Sequence, residues 1–204
     1  MEQVNSMEFV DLGLPNGTKW AKCNLGAETE TDYGNYYMWG SITPNTAEEC
    51  NWANAPFNNG SGSYDYEYFD VHKSEWLDDK NNLSPEYDVA YKVTNGMARM
   101  PTKDDVQELL DNTDNEWIED FNGSGVNGRK FTSKTDETKY IFIPAEGYCY
   151  NGSVGNIGIS GAVWSSSLDT SYNGNAWNLY FFLGYYYLDY GNRCRGRSIR
   201  PVTD

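Results

Sequence analysis

Residues 176–189 read AWNLYFFLGYYYLD, two aromatic and aliphatic runs separated by a single glycine. Tyr, Phe and Trp favour strands and glycine favours the turn between them, so this stretch predicts two β-strands, residues 176–183 and 185–189. Successive side chains of a strand point to opposite faces of the sheet. Every second residue from Asn178 to Phe182 therefore shares one face, and the residues between them share the other.

The composition of the surrounding tail, residues 147–204, is unusual. It contains no Lys, Glu, Gln or Met, whereas residues 1–146 contain 9 Lys and 14 Glu. Tyr, Ser, Gly and Asn are abundant instead, and these residues dominate evolved binding surfaces. Codons that end in C or T cannot encode Lys, Glu, Gln or Met, so a tail whose AAC and AAT codons were randomised at their adenines would show the same omission. A Gly-rich β segment that lacks long side chains is the alternative explanation.

Upstream of the tail, the sequence predicts short strands and few helices. Asn16-Gly17 lies between two apolar runs and predicts a β-hairpin. Thr102 is a predicted N-cap for a helix over residues 103–112, KDDVQELLDN, whose first acidic residues suit the positive end of the helix dipole. Further strands are predicted at residues 116–121, 128–133, 140–143, 162–166 and 197–202.

Residues 41–92 are rich in Asn, Ser, Asp and Tyr and have no hydrophobic period. They predict a loop-rich insertion with little regular structure, apart from a short helix that opens at residues 83–86 and ends near Tyr91. The whole chain, residues 1–204, is therefore expected to form one α+β domain built on a twisted antiparallel sheet.

The charge and hydropathy of the chain argue against two classes of partner. The net charge is −15, and because residues 147–204 carry four arginines against three aspartates, a net of +1, residues 1–146 carry −16. A basic groove for nucleic acid is not expected on such a chain. No stretch has the ~20 apolar residues of a membrane-spanning helix, and the start, MEQVNSMEFV, has no signal-peptide core. Membrane insertion is therefore not predicted.

Metal and cofactor chemistry is not predicted either. A structural zinc site needs clustered Cys and His ligands, but the cysteines form no CxxC pair and there is one histidine. A structural calcium stays an open alternative, because Asp and Asn oxygens are plentiful in the loops, but no loop has the diagnostic spacing of a calcium site. The four cysteines are Cys23, Cys50, Cys149 and Cys194. Cys194 is expected at the surface, and the others are expected to be free or buried thiols.

Several phrases, in order along nearly the whole chain, together resemble one family: VDLGLPNGTKWAKCNLGA, DYGNYYMWG, ARMPTKDDVQELL, IFIPAEGY, VWSSS, AWNLYF and RSIRPV. The set resembles C-type-lectin-fold domains of the major paralogous domain type, distant relatives of formylglycine-generating enzymes. Such domains recur in gut bacteria and their phages, often as the variable proteins of diversity-generating retroelements. The resemblance, which omits only residues 41–92, implies a C-type lectin fold and a variable ligand-binding region over residues 162–200. It also implies a reverse transcriptase that replaces template adenines at the 3′ end of the gene.

The resemblance further implies which residues of the tail face a ligand. Its Leu-x-Phe phrase puts Leu179 and Phe181 in the core, and Tyr186 is expected to point inward with Leu188. Scaffold roles are expected for Trp164, Trp177, Arg193, Gly196 and, as an ion-pair partner, Arg200. The predicted ligand-facing residues are Asn178, Tyr180, Phe182, Tyr185, Tyr187 and Asp189 on the strands, Tyr190, Asn192, Cys194 and Arg195 in the loop that follows, and Asp169 and Tyr172 in the loop after VWSSS.

The sequence thus predicts a non-enzymatic binding protein whose partner is a protein or glycan on a cell surface. It would act as a phage receptor-binding component or as a displayed bacterial adhesin, on the virion or at the bacterial surface. The alternative is an undiversified domain of the same family with a structural or cell-envelope role. In that case the tyrosines would pack under residues 41–92 or form an oligomer contact.

An enzyme is the third hypothesis, and the sequence gives it little support. His72 is the single histidine available as a base for a Ser-His-Asp or Cys-His arrangement, and a degenerate oxidase would need Cys149 and Cys194 close together. Calcium-dependent sugar binding is not predicted, because Trp177-Asn178 is followed by leucine rather than aspartate and no Glu-Pro-Asn motif is present.

Overall fold

The computed structural model describes residues 7–204 and shows, over that range, an α+β chain with few helices and four antiparallel sheets. No helix in this range is long and apolar enough to cross a membrane. The predicted α+β class is confirmed. The helices are α1 (Tyr66–His72), α2 (Val89–Val93) and α3 (Lys103–Asn112), with short 3-10 turns at Lys73–Glu75 and Phe121–Gly123. The strands are β1 (Phe9–Val10), β2 (Lys19–Ala21), β3 (Thr113–Ile118), β4 (Gly128–Ser133), β5 (Tyr140–Pro144), β6 (Tyr148–Tyr150), β7 (Ser153–Gly155), β8 (Ser160–Leu168), β9 (Asn175–Phe182), β10 (Tyr185–Asn192) and β11 (Val202–Thr203).

The sheets join the two ends of the described chain. β2 pairs with β1 on one side and with β11 on the other, so the last strand lies beside the N-terminal hairpin. The hairpin predicted from Asn16-Gly17 is confirmed, with Val10 opposite Trp20. β3, β4 and β5 form a second sheet, and β6 and β7 form a ribbon. The central sheet has the order β10-β9-β8 and holds most of the tail.

Strand bounds differ from the predicted ones mainly in the tail. β4 has the predicted bounds, whereas β3 begins at Thr113 rather than at residue 116. β10 continues to Asn192, so the prediction that residues 190 and 192 lie in a loop is wrong. The predicted strand at residues 197–202 is mostly extended chain with isolated bridges, and regular pairing begins only at Val202.

The helices begin where a side chain caps them. The predicted helix α3 is confirmed: Thr102 Oγ1 accepts a hydrogen bond from Asp105 N at 3.2 Å, and the Asp105 carboxylate accepts one from Thr102 N at 2.8 Å. This reciprocal capping box satisfies backbone groups that the first turn leaves free. α2 begins at Val89 after its cap Asp88, so the predicted opening at residues 83–86 is wrong. α1, which was not predicted, is capped by Asp65.

Two hydrophobic cores lie on opposite faces of the central sheet. Leu179 and Phe181 of β9 pack with Val163 in one core. Trp164 and Ala176, which point the other way, belong to the second core. Residues 41–92 contribute to this second core, so the loop-rich insertion is part of the packed interior; its contributing side chains are Phe57, Phe69, Trp76, Leu83 and Val89.

Arg200 joins three parts of the chain. The prediction of an ion pair is wrong, because the buried guanidinium donates hydrogen bonds to neutral acceptors instead. It reaches Asn24 Oδ1 at 2.9 Å and the carbonyl oxygens of Ala21 at 3.1 Å and Phe142 at 2.8 Å, and it also bonds the carbonyl oxygen of Lys22. Burial lowers the pKa of Arg200 to about 10. The side chain thereby ties the C-terminal segment to β2 and β5.

Glu146 is fully buried beside β8 and the C-terminal segment. Its Oε1 accepts hydrogen bonds from Ala162 N at 2.9 Å and from Ser198 Oγ at 2.7 Å, while its Oε2 has no partner within residues 7–204. Burial raises the pKa of Glu146 to about 7, although both hydrogen bonds oppose the change. A carboxyl group in this position is neutral in the folded state at mildly acidic pH.

The free energy of unfolding is expected to decrease as pH rises from 4.5 towards 7, the ordinary and folded-state pKa values of Glu146. In this window the folded state keeps the Glu146 proton, whereas the unfolded state has released it. Above the window the buried carboxylate must ionise, and the free energy of unfolding is then lower by up to roughly 3 kcal/mol. Glu146→Gln should flatten this dependence, because the amide carries no charge at any pH. Urea unfolding of both proteins at about pH 5 and about pH 8 checks this. An equal change in the free energy of unfolding between the two pH values, in the wild type and in Glu146→Gln, would contradict the prediction.

Candidate functional site

The hairpin end of strands β9 and β10 carries an aromatic ladder, which we define as Tyr180, Phe182, Tyr185 and Tyr187. Tyr187 lies directly opposite Tyr180, and Tyr185 lies opposite Phe182. The ring centroids of Tyr180 and Tyr187 are 5.9 Å apart, and those of Phe182 and Tyr185 are 5.0 Å apart in a stacked arrangement. Tyr185 is 62% exposed and Tyr187 is 41% exposed. The ladder is therefore a continuous aromatic surface open to solvent.

The position of the ladder follows from strand alternation. Ala176, Tyr180 and Phe182 lie on one face of β9. Ala176 is buried in the second core, whereas Tyr180 and Phe182 are only half-buried. Gly184 closes the hairpin between β9 and β10 with a φ of 82°, a left-handed conformation that glycine adopts without steric cost. The tight turn places the two strands in the register that pairs the aromatic rings.

Asn178 and Asp189 continue the ladder face. The two residues lie opposite each other, and Asn178 also lies opposite Trp164 on β8. Asn178 is fully buried, whereas Asp189 is half-buried. All six strand residues predicted to face a ligand thus lie on one face of one sheet, with an aromatic end and a polar end.

The other predicted residues are not on this face. Tyr190 and Asn192 lie on the opposite face of β10, where the Tyr190 ring packs edge-on against Trp177 at 5.7 Å. Tyr172 is exposed and packs against Tyr64. Asp169 is buried, and its carboxylate accepts hydrogen bonds from Ser171 N and Oγ, so it shapes its own loop instead of facing a ligand.

Cys194 and Tyr186 also differ from expectation. Cys194 is fully buried, so the prediction of a surface position that faces a ligand is wrong. The reason is that the chain turns inward after β10 and packs this thiol with Met38 and Ala55. Tyr186 lies on the core side of the sheet as predicted, but at the sheet end it is 42% exposed and stacks on Arg129, whose guanidinium lies 4.7 Å from the ring.

Arg195 extends the site towards β6. Its guanidinium lies 5.0 Å from the Tyr148 ring and 5.6 Å from the Tyr150 ring, both distances at which a cation is attracted to an aromatic face. Arg193, predicted as scaffold, is buried and donates to the carbonyl oxygens of Asn173 and Pro56. Arg195 is therefore partly exposed beside two tyrosines, whereas Arg193 is buried and stabilises the fold.

Three buried cysteines, Cys50, Cys149 and Cys194, share one cluster. Cys149 and Cys194 thus belong to one cluster. The Cys50 thiol donates a hydrogen bond to the carbonyl oxygen of Thr46 at 3.2 Å, and its interaction with Cys149 lowers the pKa of Cys149. Burial raises the pKa of Cys194 to about 11. No group of three or more metal-binding side chains occurs in the range that the structure describes. His72 lies elsewhere, with its Nδ1 on the carbonyl oxygen of Tyr68.

A cleft of about 840 Å³ opens beside the N-terminal hairpin. Its lining includes Glu8 and Lys22, which form an exposed ion pair at 3.3 Å, and Cys23, whose pKa is raised by burial. A thiol with a raised pKa is a poor nucleophile at neutral pH. The Cys23 thiol is therefore not an activated nucleophile in this cleft.

Tyr148, Tyr150 and Arg197 were not among the predicted site residues. Tyr148 and Tyr150 lie beside Arg195, and Arg197 lies over the Trp164 ring. The signal that could have found them is the tail composition, which includes the alternating aromatics of YCY at residues 148–150. The position of Arg197 against Trp164 and Gly191 depends on contacts between residues far apart in the chain, so no local sequence pattern predicts it. No protein-family model, curated protein or solved structure matches this chain.

Proposed function

We propose that this chain is a non-enzymatic ligand-binding protein of the C-type lectin fold whose C-terminal sheet face is diversified by a retroelement. Its partner is a protein or glycan on a cell surface, bound for phage attachment or bacterial adhesion. One observation carries the proposal: a solvent-open aromatic ladder lies within a tail that contains no Lys, Glu, Gln or Met. Contiguous exposed aromatic surface usually marks an interaction site, and tyrosine supplies much of the energy at such sites.

The contacts of the ladder suit side chains that change often. Within residues 7–204, the ladder side chains form no hydrogen bond, and the aromatic neighbours of Tyr180 and Phe182 are other members of the ladder. Replacing these side chains therefore removes few contacts that hold the fold. Binding sites on strands are also more precisely placed than those on loops.

The strand beside the ladder in the same sheet, β8, is firmly held. All nine residues of β8 are buried, and the indole of Trp164 donates to the carbonyl oxygen of Tyr37 at 2.9 Å. Trp39 donates in the same way to the carbonyl oxygen of Ser165 at 2.9 Å. A fixed framework under replaceable side chains is the arrangement that an antibody-like paratope requires.

DNA sequence around the 3′ end of the gene tests the proposal. We expect a second copy of the segment that encodes residues 162–200, beside a reverse-transcriptase gene. The copy should carry AAC or AAT where this gene encodes the ladder and Asp189, and unchanged codons for the core residues Leu179 and Phe181. A locus without such a copy would contradict diversification and would favour a fixed partner. Sedimentation of the purified protein would then decide whether the ladder is an oligomer contact.

A further inference from the structure

Strand β10 forms one edge of the central sheet and has no partner on its outer side. The sheet has the order β10-β9-β8, and its other edge, β8, is bridged to Gly147 and to Ser198. No such bridge reaches β10 within residues 7–204. The edge is open to solvent, since Tyr186 is 42% exposed and Tyr190 is 54% exposed. An open strand edge carries backbone donors and acceptors with which another strand can pair.

The hairpin register determines which backbone groups of β10 point outward. Phe182 lies opposite Tyr185 across a two-residue turn, so this pair exchanges backbone hydrogen bonds, and the exchange recurs at every second pair of the two strands. The N–H and C=O groups of Tyr186, Leu188 and Tyr190 therefore point away from β9. In the described part of the chain, none of these outward groups has a hydrogen-bond partner.

The edge also lacks the usual protection against pairing. Lysine, proline and a bulge are common ways of protecting an edge strand. The sequence of β10, YYYLDYGN, contains neither lysine nor proline, and it pairs with β9 residue by residue without a bulge. Helix α3 packs on the core face of the sheet, where Leu109 and Leu188 belong to one core, so it leaves the outward backbone groups free. The edge is therefore available to a further strand.

We propose that the β10 strands of two copies of this chain pair antiparallel about a twofold axis at Leu188, so that their three-stranded central sheets join into one. A twofold contact uses the same surface of both copies, so one open edge is sufficient. This register pairs all three residues whose backbone groups point outward. Tyr186 lies opposite Tyr190 of the second copy, and Leu188 lies opposite its own counterpart.

The side chains on the ladder face suit this register. Tyr187, which is 41% exposed, lies opposite Asp189 of the second copy, and a phenol can donate a hydrogen bond to a carboxylate. The twofold axis produces this pair twice. The two Asp189 carboxylates are not directly opposite each other, so the pairing avoids the repulsion of like charges across two strands. Tyr185 lies opposite Gly191, which has no side chain to obstruct the ring.

The pairing adds a two-copy binding face to the proposed function, on which it rests. Backbone hydrogen bonds do not depend on side-chain identity, so the contact would persist while residues such as Tyr187 are replaced. Pairing through the edge leaves the ladder face open and places the ladders of both copies on the same side of one sheet. Two linked sites bind a repeating cell-surface target more tightly than one site does.

Amide hydrogen exchange of the wild-type protein at two concentrations tests the proposal. Outward amides are unprotected in a single copy and protected in the pair, whereas amides bonded to β9 are protected in both. We expect Tyr186, Leu188 and Tyr190 to exchange at least about tenfold more slowly at about 1 mM than at about 20 μM. The amides of Tyr187 and Asp189 should not change.

Sedimentation velocity over the same concentrations gives an independent measurement. The fraction of dimer should increase with protein concentration by mass action. It should increase further when NaCl is raised from about 0.05 M to about 0.5 M, because salt screens the repulsion between two acidic chains. Each chain carries a net charge of −15.

Three variants separate the edge from the ladder. Tyr190→Pro removes an outward N–H but no hydrogen bond to β9, since proline is tolerated where the N–H of an edge strand faces solvent. It should weaken the dimer at least about tenfold. Tyr190→Ala is the matched control, because it removes the same ring and keeps the N–H, and it should weaken the dimer by about threefold or less. Phe182→Ala, a ladder variant, should leave the dimer unchanged.

Three results would overturn the proposal. The first is a chain that sediments as a monomer at about 1 mM in about 0.5 M NaCl, where a dissociation constant in the micromolar range would give mostly dimer. The second is a dimer in which the outward amides of β10 exchange no more slowly. The third is a dimer that Phe182→Ala abolishes and Tyr190→Pro does not, which would assign the contact to the ladder.

The wild-type measurements decide the question even if Tyr190→Pro does not fold, which circular dichroism would show. A negative result in any of them leaves diversification standing, because the gene locus tests it without reference to the oligomeric state.

Discussion

Phe181→Ala is expected to lower the free energy of unfolding by about 4 kcal/mol, the usual cost of truncating a fully buried phenylalanine. The Phe181 ring is inaccessible to solvent and lies against Gly161, where a Cβ would come within 2.1 Å of it. The cavity left behind would be surrounded by core side chains such as Val163 and Leu179. Thermal unfolding should show a loss of roughly 8–16 °C in Tm for a chain of this size.

Phe182→Ala is the matched control, since it makes the same chemical change one residue further along the same strand. The Phe182 ring lies on the ladder face, half-buried, with Tyr180 and Tyr185 as its aromatic neighbours. Its loss should cost about 1 kcal/mol or less. Equal losses in the two variants would show that the ladder belongs to the core, and it would then be unsuited to variation.

Arg200→Met is expected to cost about 4 kcal/mol, although methionine fills a similar volume. The substitution leaves the carbonyl oxygens of Ala21, Lys22 and Phe142 and the Asn24 side chain without their donor. Buried acceptors that lose a hydrogen bond cost about 1–3 kcal/mol each before the chain relaxes. Chemical unfolding at neutral pH measures this as a lower midpoint with an unchanged slope.

Lys22→Met provides the comparison, because it removes a cation whose ion pair with Glu8 is exposed. Exposed pairs contribute little, so we expect a change below about 0.5 kcal/mol. Arg200→Lys should recover only part of the loss, since an ammonium group has fewer donors and no planar fork. A full recovery with lysine would mean that charge, and not the geometry of four acceptors, explains the role of Arg200.

The sequence identified those features that depend on local pattern. Alternation placed Tyr180 and Phe182 on one face of β9, and the Leu-x-Phe phrase of the resemblance assigned Leu179 and Phe181 to the core. The register and the packing bear both out. Thr102 as N-cap and the acidic first turn marked the start of α3 within the sequence itself. Strand alternation and helix capping depend on residues close together in the sequence, so they could be predicted without knowledge of the tertiary structure.

Features that depend on distant contacts could not be predicted. α1 has a capping Asp65, but its stability comes from Phe69 packing with Phe57 and Trp76, which no local pattern shows. Cys194 is buried because Cys50, far earlier in the chain, lies in the same cluster. The guanidinium of Arg197 fits against β10 only because residue 191 is a glycine, whose Cβ would otherwise lie 2.1 Å from Nη2. Tertiary packing decided each of these positions.

Under the proposed diversification, the order of the strands along the chain would make folding depend on an intact copy of the whole tail. β11 and Arg200 come after the ladder, and β11 must pair with β2, where Val202 lies opposite Trp20. A copying error that shifts the reading frame within residues 162–200 would remove both at once. The truncated product would expose the buried Trp20, and unfolded chains are removed by proteases. Under the proposed diversification, only copies that stay in frame to the last strand would fold, so folding would select among rewritten copies before any ligand does.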